Sequence, residues 1–376
     1  MIIHRKNLLK KVFSFCGSTR RMLATGTADE VLFETKNRCG IITLNKPKTL
    51  NAINLSMVKE ILKHLEAWEN SMSMVIIRGV GRAFCAGGDI KYAISGGVEN
   101  TTPGKSFFRT EYTMNHKIGT YRLPYIALID GITMGGGVGL SVHGRYRVAT
   151  EKTMFAMPET AIGLFPDVGA SYFLPRLPGQ IGMFLALTGN RLIGADCLKI
   201  GIATHYCDSK DIPQLFDALI ETQGDIPSID QTLSKFSKNT DNIPFSLEDK
   251  IDLINRIFGL PTVEEILNAL SKEGSSWSKE ILESLKKMSP TSLKISHKEF
   301  LLGKSLGLHE CLQMENRLAG AALEGRISKD FYEGVRAVLI DKDKNPKWSP
   351  AKLEEITDPM VQSCFSPLSV EEEFHV

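Results

Sequence analysis

The sequence predicts an α/β core built by repeating a strand–strand–helix unit, with a helical region following it. Three observations carry that prediction. Short apolar runs of strand length alternate with helical periodicity through the first half of the chain. Two of those strands break into glycine-rich turns, Gly81 to Ile90 and Gly131 to Gly139. From about Asp211 the strand signal stops and helical patterns dominate.

Taken in order, Val31 to Glu34 and Gly40 to Leu44 read as two strands joined by a turn at Asn37 to Cys39, with Pro47 closing the second. Asn54 offers an N-cap, and Val58, Ile61, Leu62, Leu65 and Trp68 follow at helical spacing. Met74 to Arg78 is the next strand and ends in Gly79-Val80-Gly81. A helix through Phe107 to Ile118 precedes the strand Tyr125 to Ile129; past the glycines the chain resumes a helical apolar pattern, then strands Tyr146 to Ala149 and Met154 to Ala156. The polar stretch Gly224 to Asp249, broken by Pro227 and Pro244, reads as a linker or loosely packed connection. Helices are expected over Ile251 to Ile257, Val263 to Leu270, Ile281 to Leu285, Ser292 to Leu302 and Leu308 to Leu318. Ser289-Pro290 supplies an N-cap and a proline at N1 for the fourth of these. Pro367 to Val376 is expected to fray. This gives three parts: a leader over 1–28, the α/β core over 29–224 and the helical region over 225–376.

At 376 residues the chain can bury a large core. With 43% hydrophobic and 23% charged residues and a formal net charge of +2, it has neither the charge of a nucleic-acid binder nor an apolar run long enough for a membrane span. Seven scattered cysteines form no CxxC pair, so neither a disulfide framework nor a zinc site is indicated, and reduced thiols are expected. Residues 1–28 hold no Asp or Glu but carry Arg5, Lys6, Lys10, Lys11, Arg20 and Arg21, the first four interleaved with apolar residues. That is the pattern of a mitochondrial transit peptide, with cleavage expected near residues 22 to 30. Removing six positive charges from +2 leaves about −4, which takes away the last hint of a basic surface.

The chemistry is concentrated in three places. A strand that breaks into bare backbone exposes amide N–H groups, and glycine lets a ligand reach them without meeting a Cβ. Two such turns on neighbouring strands could set two N–H groups about 3 Å from one oxygen, the geometry of an oxyanion hole. Neither turn continues as a P-loop or fits GxGxxG with a ribose acid downstream; close backbone packing is the plain alternative for each. In Met157 to Gly169, Glu159 and Asp167 sit among apolar, proline and glycine residues, where a carboxylate pKa rises toward the range of a working base or nucleophile. The alternatives are a solvated turn for Glu159 and a helix cap for Asp167. Glu111 follows Phe107 by four residues and precedes Met114 by three, so it lies on an apolar stripe, as a salt-bridged or a site residue. His143 joins no ligand or triad pattern and is expected to be structural.

Together these segments resemble the crotonase (enoyl-CoA hydratase/isomerase) superfamily. The likeness rests on Ala86-Gly87-Gly88-Asp89-Ile90, on Gly131 to Gly139, and on Met157 to Thr160 with Phe165 to Gly169. It extends to Asp330 to Ala337, Leu339 to Asp343 and Pro346-Lys347-Trp348. The resemblance implies a spiral of ββα turns with CoA lying across it, and an oxyanion hole from the backbone N–H groups of Gly88 and Gly136. It places Glu111, Glu159 and Asp167 at substrate-site positions. Hydratases of the superfamily carry a second catalytic Glu two residues past the glycine run, where this chain has Gly139; its loss, with Asp167 gained, favours thioester hydrolysis. The activity implied is cleavage of 3-hydroxyisobutyryl-CoA, or also 3-hydroxypropionyl-CoA, to CoA and the hydroxy acid in valine breakdown in the mitochondrial matrix. CoA would be part of the substrate, with no further cofactor or metal and no nucleic-acid or membrane partner, and a homo-oligomer is left open. The alternatives carried are an enoyl-CoA hydratase or isomerase, and a non-catalytic ribosome-associated protein on the same scaffold.

Overall fold

The structure, a computed structural model, describes residues 30–376, so the leader over 1–28 and Cys16 lie outside the described residues. β1 (Val31–Lys36) and β2 (Cys39–Leu44) form an antiparallel hairpin. Its two turn residues, Asn37 (φ 49°) and Arg38 (φ 60°), are both left-handed, as a two-residue hairpin turn requires. Cys39, expected in the turn, is the first residue of β2. α1 (Leu55–Trp68) starts where the Asn54 side chain accepts from the Met57 amide at 2.9 Å, and it buries Met57, Val58, Ile61, Leu65 and Trp68.

From β3 (Met74–Gly79) the chain repeats a simple device. In the units that start at β3, β5 (Tyr125–Ile129) and β7 (Tyr146–Ala149) the first strand adds to one sheet and the second adds to another. β4 (Ala83–Cys85) follows β3, then α2 (Ile90–Ala93) and α3 (Thr102–Gly119). β5 (Tyr125–Ile129) and β6 (Ile132–Met134) follow with α4 (Gly136–Gly139), a single turn where a longer helical pattern was expected. β7 (Tyr146–Ala149) and β8 (Met154–Ala156) come next, with α5 (Ala170–Phe173) and α6 (Ile181–Thr188). β9 (Leu192–Ile193), α7 (Ala195–Lys199) and β10 (His205–Tyr206) close the spiral. The resulting sheets run β1-β2-β3-β5-β7-β10 and β4-β6-β8-β9, parallel except at β1/β2 and β8/β9. Both sheets advance together, so every strand-to-strand turn falls on the same side of the spiral, one unit after another. The glycine turns therefore become neighbours. Every residue of α6 is buried, so this helix lies inside the core, where each Leu, Ile or Phe removed from water contributes roughly 1.5–3 kcal/mol.

α8 (Ile212–Glu221) and α9 (Ile226–Phe236) pack on the outer face of the larger sheet, burying Leu215, Leu219, Ile229 and Leu233 against Ile41, Ile76 and Ile126. Part of the stretch from Gly224 to Asp249 is therefore a docked helix and not a loose linker. Asp225 caps it through the Ser228 amide (3.0 Å), and Pro227 sits within its first turn, where it needs no hydrogen bond. Next come α10 (Ile251–Phe258), α11 (Val263–Glu273), α12 (Ser276–Leu285), α13 (Pro290–Gly303) and α14 (Leu308–Glu324). α15 (Asp330–Val335) and α16 (Asp358–Cys364) complete the helical region. α13 begins at the predicted Ser289 cap, which accepts from the Ser292 amide at 3.0 Å. α13 packs on α5 and α6, and α14 packs on α3 and α5.

The end of the chain is docked and not frayed. Phe374 is fully buried, stacking on His309, and Arg317 holds the Glu373 carboxylate (2.9 Å). Arg109 donates to the backbone carbonyls of Glu372 and Glu373. The six described cysteines are all buried and unpaired.

Candidate active site

One wall of the site is backbone. Asn51, fully buried with a left-handed backbone (φ 57°), accepts from the Lys46 amide (2.8 Å) and donates to the carbonyls of Val80, Ala83 and Phe84 (3.0, 2.8 and 3.1 Å). It staples the segment before α1 to the loop around β4. Beside it, the Ile53 amide donates to the Gly87 carbonyl (3.0 Å) and the Asp89 amide to the Ile53 carbonyl (2.7 Å). Parallel pairing of this kind uses alternate residues, so it skips the Gly88 amide and leaves it facing away from Ile53.

Gly136 is the first residue of α4, whose N–H no intrahelical carbonyl can take. Gly135 before it has φ 48° and ψ −122°, a conformation open in practice to glycine alone. A methyl group on Gly136 would lie 3.3 Å from the Gly88 amide nitrogen and collide with Glu111 Oε1. One on Gly135 would lie 2.9 Å from Glu159 Oε1. The two glycine turns and two of the acids therefore meet at one place.

The other wall is acidic. Glu111 on α3, Glu159 after β8 and Asp167 before α5 are all buried. Oε1 of Glu111 and Oε2 of Glu159 have no hydrogen-bond partner in the protein, so neither residue fits the salt-bridge or solvated-turn alternative. Asp167 Oδ2 accepts from Tyr112 Oη at 2.8 Å, and it is the backbone carbonyl of Asp167, not its side chain, that accepts from Ala170. Burial, with the Asp167 and Glu159 charges added, holds Glu111 well above the ordinary carboxylate range. Burial, then the Asp167 charge, raises Glu159 likewise. Asp167 is pushed up to about 7 by burial, with the Tyr112 hydrogen bond pulling the other way.

Two further acids stand behind these. Glu315 on α14 accepts from the Gly169 amide (2.7 Å), the Ser171 amide (3.1 Å) and Ser171 Oγ (2.6 Å). Burial still lifts it to about 8 against those bonds. Glu299 on α13 is fully buried with neither oxygen partnered; burial, then the charges of Glu315, Asp167 and Glu159, raises it well above its ordinary range. Among the described residues no lysine, arginine or histidine forms an ion pair with any of these five acids. Nor, among the described residues, is any group of three His, Cys, Asp or Glu placed to hold a metal ion.

Sequence reasoning missed Asn51, Tyr112, Glu299 and Glu315. The rule that singled out Glu111 would have found Glu315, which follows Cys311 by four and precedes Leu318 by three on α14. The vacancy at Gly139 is filled by neighbours: a Cβ there would lie 2.6 Å from Asn115 Nδ2 and 2.7 Å from Val168 Cβ.

A family description for enoyl-CoA hydratase/isomerase matches residues 39–365. The chain is 48% identical to the mitochondrial 3-hydroxyisobutyryl-CoA hydrolase of Homo sapiens, over 98% of this chain and 96% of that protein. It is also 48% identical to the mitochondrial 3-hydroxyisobutyryl-CoA hydrolase of Danio rerio, over 92% of each. Among solved structures it is similar to a carnitinyl-CoA dehydratase from Mycobacterium thermoresistibile, with a TM-score of 0.85 and 35% identity over 92% of this chain and 99% of that one. An enoyl-CoA hydratase from Rhodobacter sphaeroides gives a TM-score of 0.84 and 36% identity over 92% and 100%.

Proposed function

The chain belongs to the enoyl-CoA hydratase/isomerase family, and we propose that its site cleaves thioesters between a backbone wall and an acidic wall. Like the hydrolases it matches, it is an acyl-CoA thioester hydrolase that releases CoA and the free hydroxy acid from 3-hydroxyisobutyryl-CoA. The thioester oxygen sits between the N–H groups of Gly88 and Gly136, which stabilise the negative charge that develops as the carbonyl is attacked. Glu159 supplies the attack by one of two routes. It adds its carboxylate to the carbonyl carbon, the C–S bond breaks, and water then opens the anhydride; or it takes a proton from a water that attacks directly. Either route consumes one water and gives a carboxylate and a thiol. Asp167, whose carboxyl burial shifts upward, delivers a proton to the leaving thiolate or orients the β-hydroxyl of the acyl group. Glu111 holds a polar group at the acyl end.

The observation that carries this reading is the meeting of Gly88, Gly136, Glu111 and Glu159 at one place while position 139 offers no acid. A free-thiol assay of the purified protein against acyl-CoAs with and without a β-hydroxyl tests it. Fastest cleavage is expected for 3-hydroxyisobutyryl-CoA, with 3-hydroxypropionyl-CoA as a second substrate. Hydration of crotonyl-CoA faster than thioester cleavage would overturn the reading in favour of a hydratase. The location proposed is the mitochondrial matrix, supported by the acid-free basic leader and by relatives named mitochondrial. N-terminal sequencing of the mature protein checks this; an intact chain in the cytosol refutes it.

A further inference from the structure

We propose that Glu315 and His143 are positioning residues for the hydrolysis, holding the turn from Asp167 to Gly169 in a left-handed form that aims the Asp167 carboxyl into the site. The inference rests on the reading of Asp167 as a site acid. Val168 has φ 57° and Gly169 φ 83°. Valine is among the residues least suited to that region, because its branched Cβ crowds the backbone there, so the turn stands only if its surroundings impose it. Two side chains do so, one at each end of the peptide units around Val168 and Gly169.

Glu315 takes three donors from the C-terminal flank of the turn: the Gly169 amide, the Ser171 amide and Ser171 Oγ. His143 Nε2 lies 2.7 Å from the Val168 carbonyl. A carbonyl only accepts, so Nε2 carries the proton. The same imidazole closes the space over Gly169, where a Cβ would fall 2.5 Å from its Cε1 and 2.6 Å from its Nε2. Gly169 is therefore required both by its φ and by His143. Immediately before this clamped pair of residues, Asp167 meets Tyr112 Oη.

The test is a double-mutant cycle on the full chain, reading kcat and KM by thiol release together with Tm. Glu315→Ala is expected to lower kcat up to about 10-fold, no more than Asp167→Asn itself, with KM within about twofold. His143→Phe should act in the same direction, and His143→Gln, which can still donate to the Val168 carbonyl, should retain more activity. In an Asp167→Asn background both losses should largely disappear, because a residue that acts through Asp167 has nothing left to position. Adding Val168→Gly to Glu315→Ala should recover part of kcat, since glycine adopts the left-handed turn unaided. A kcat loss from Glu315→Ala that is undiminished in the Asp167→Asn enzyme, or a fall in Tm with kcat unchanged, would overturn the clamp. If Asp167→Asn alone leaves kcat intact, the reading of Asp167 fails and the clamp with it. Should Glu315→Ala not fold, Glu315→Gln, which keeps one acceptor for Ser171 and loses the other for Gly169, runs the same cycle.

Discussion

The two walls of the site are built by opposite means. The glycine wall uses no side chains at its working atoms: the Gly88 amide and Gly136 are set by strand pairing, by a glycine-only turn at Gly135 and by the Asn51 staple, all within the spiral. The acid wall is made of side chains, and its support arrives from far along the chain, with Glu315 of α14 reaching residues 144 and 146 positions earlier. A backbone wall keeps its form under almost any surface change but tolerates no added atom. An acid wall tolerates substitution sterically and fails through charge and aim.

Five experiments press on that contrast, from the largest expected effect to the smallest. Glu159→Gln keeps the shape of the acid wall and removes the carboxylate proposed to react; kcat should fall by about 10²–10⁴-fold with KM little changed, read by thiol release. On the other wall, Gly136→Val adds atoms against Glu111 and the Gly88 amide and should lower kcat by about 10²–10³-fold, as for the loss of one oxyanion donor. Asp167→Asn is expected to be milder, about 10-fold, and harsher on the β-hydroxyacyl substrate than on an unhydroxylated one, if that hydroxyl is what it orients. Gly139→Glu should give no hydration of crotonyl-CoA. Its side chain would strike Asn115 and Val168, so a loss of about 1–3 kcal/mol in urea unfolding is expected instead.

The last concerns Glu299 and pH. Its folded pKa is raised, so above the ordinary glutamate range the unfolded chain has released this proton while the folded protein keeps it. The folded state then binds more protons, and stability falls as pH rises, by about 1.4 kcal/mol per pH unit for one such group. Glu299→Gln cannot titrate. Its urea-unfolding free energy should therefore fall less steeply than that of the parent between pH 5 and 8. Parallel lines for the two proteins would mean that Glu299 is ionised in the fold.

What could be read from the sequence divides along the same line. The glycine turns and the strands before them were legible because glycine and β-branched residues act locally, and Glu111 was legible because 3.6-residue periodicity exposes a charge on an apolar stripe. β4 and β6 were not, since three residues embedded in glycine turns carry no alternating pattern. The helix over Ile226–Phe236 was hidden by its polar outer face and by Pro227, which is harmless in the first turn. The docked tail was missed for another reason: Phe374 is buried by α14, a partner some sixty residues away that no local pattern announces. Glu299 and Glu315 lay outside the Pro- and glycine-rich segment that drew attention to Glu159 and Asp167. The apolar stripe of α14 marks Glu315 as it marked Glu111 on α3, but only packing of α13 and α14 on α5 brings the two behind the site.

The buried cysteines bear on what happens after catalysis. Each turnover liberates CoA, a free thiol, and Cys85 Sγ lies 3.5 Å from the carbonyl of Gly87 in the glycine wall. Disulfide exchange proceeds through a thiolate, and burial pushes the thiols of Cys39, Cys85, Cys197, Cys207 and Cys311 up to about 12 and raises that of Cys364. The folded enzyme therefore offers the oxidised form of its own product almost no nucleophile among the described residues. Those six cysteines resist capping by CoA disulfide, and a thiol-reactive dye that reports the product meets little background from them.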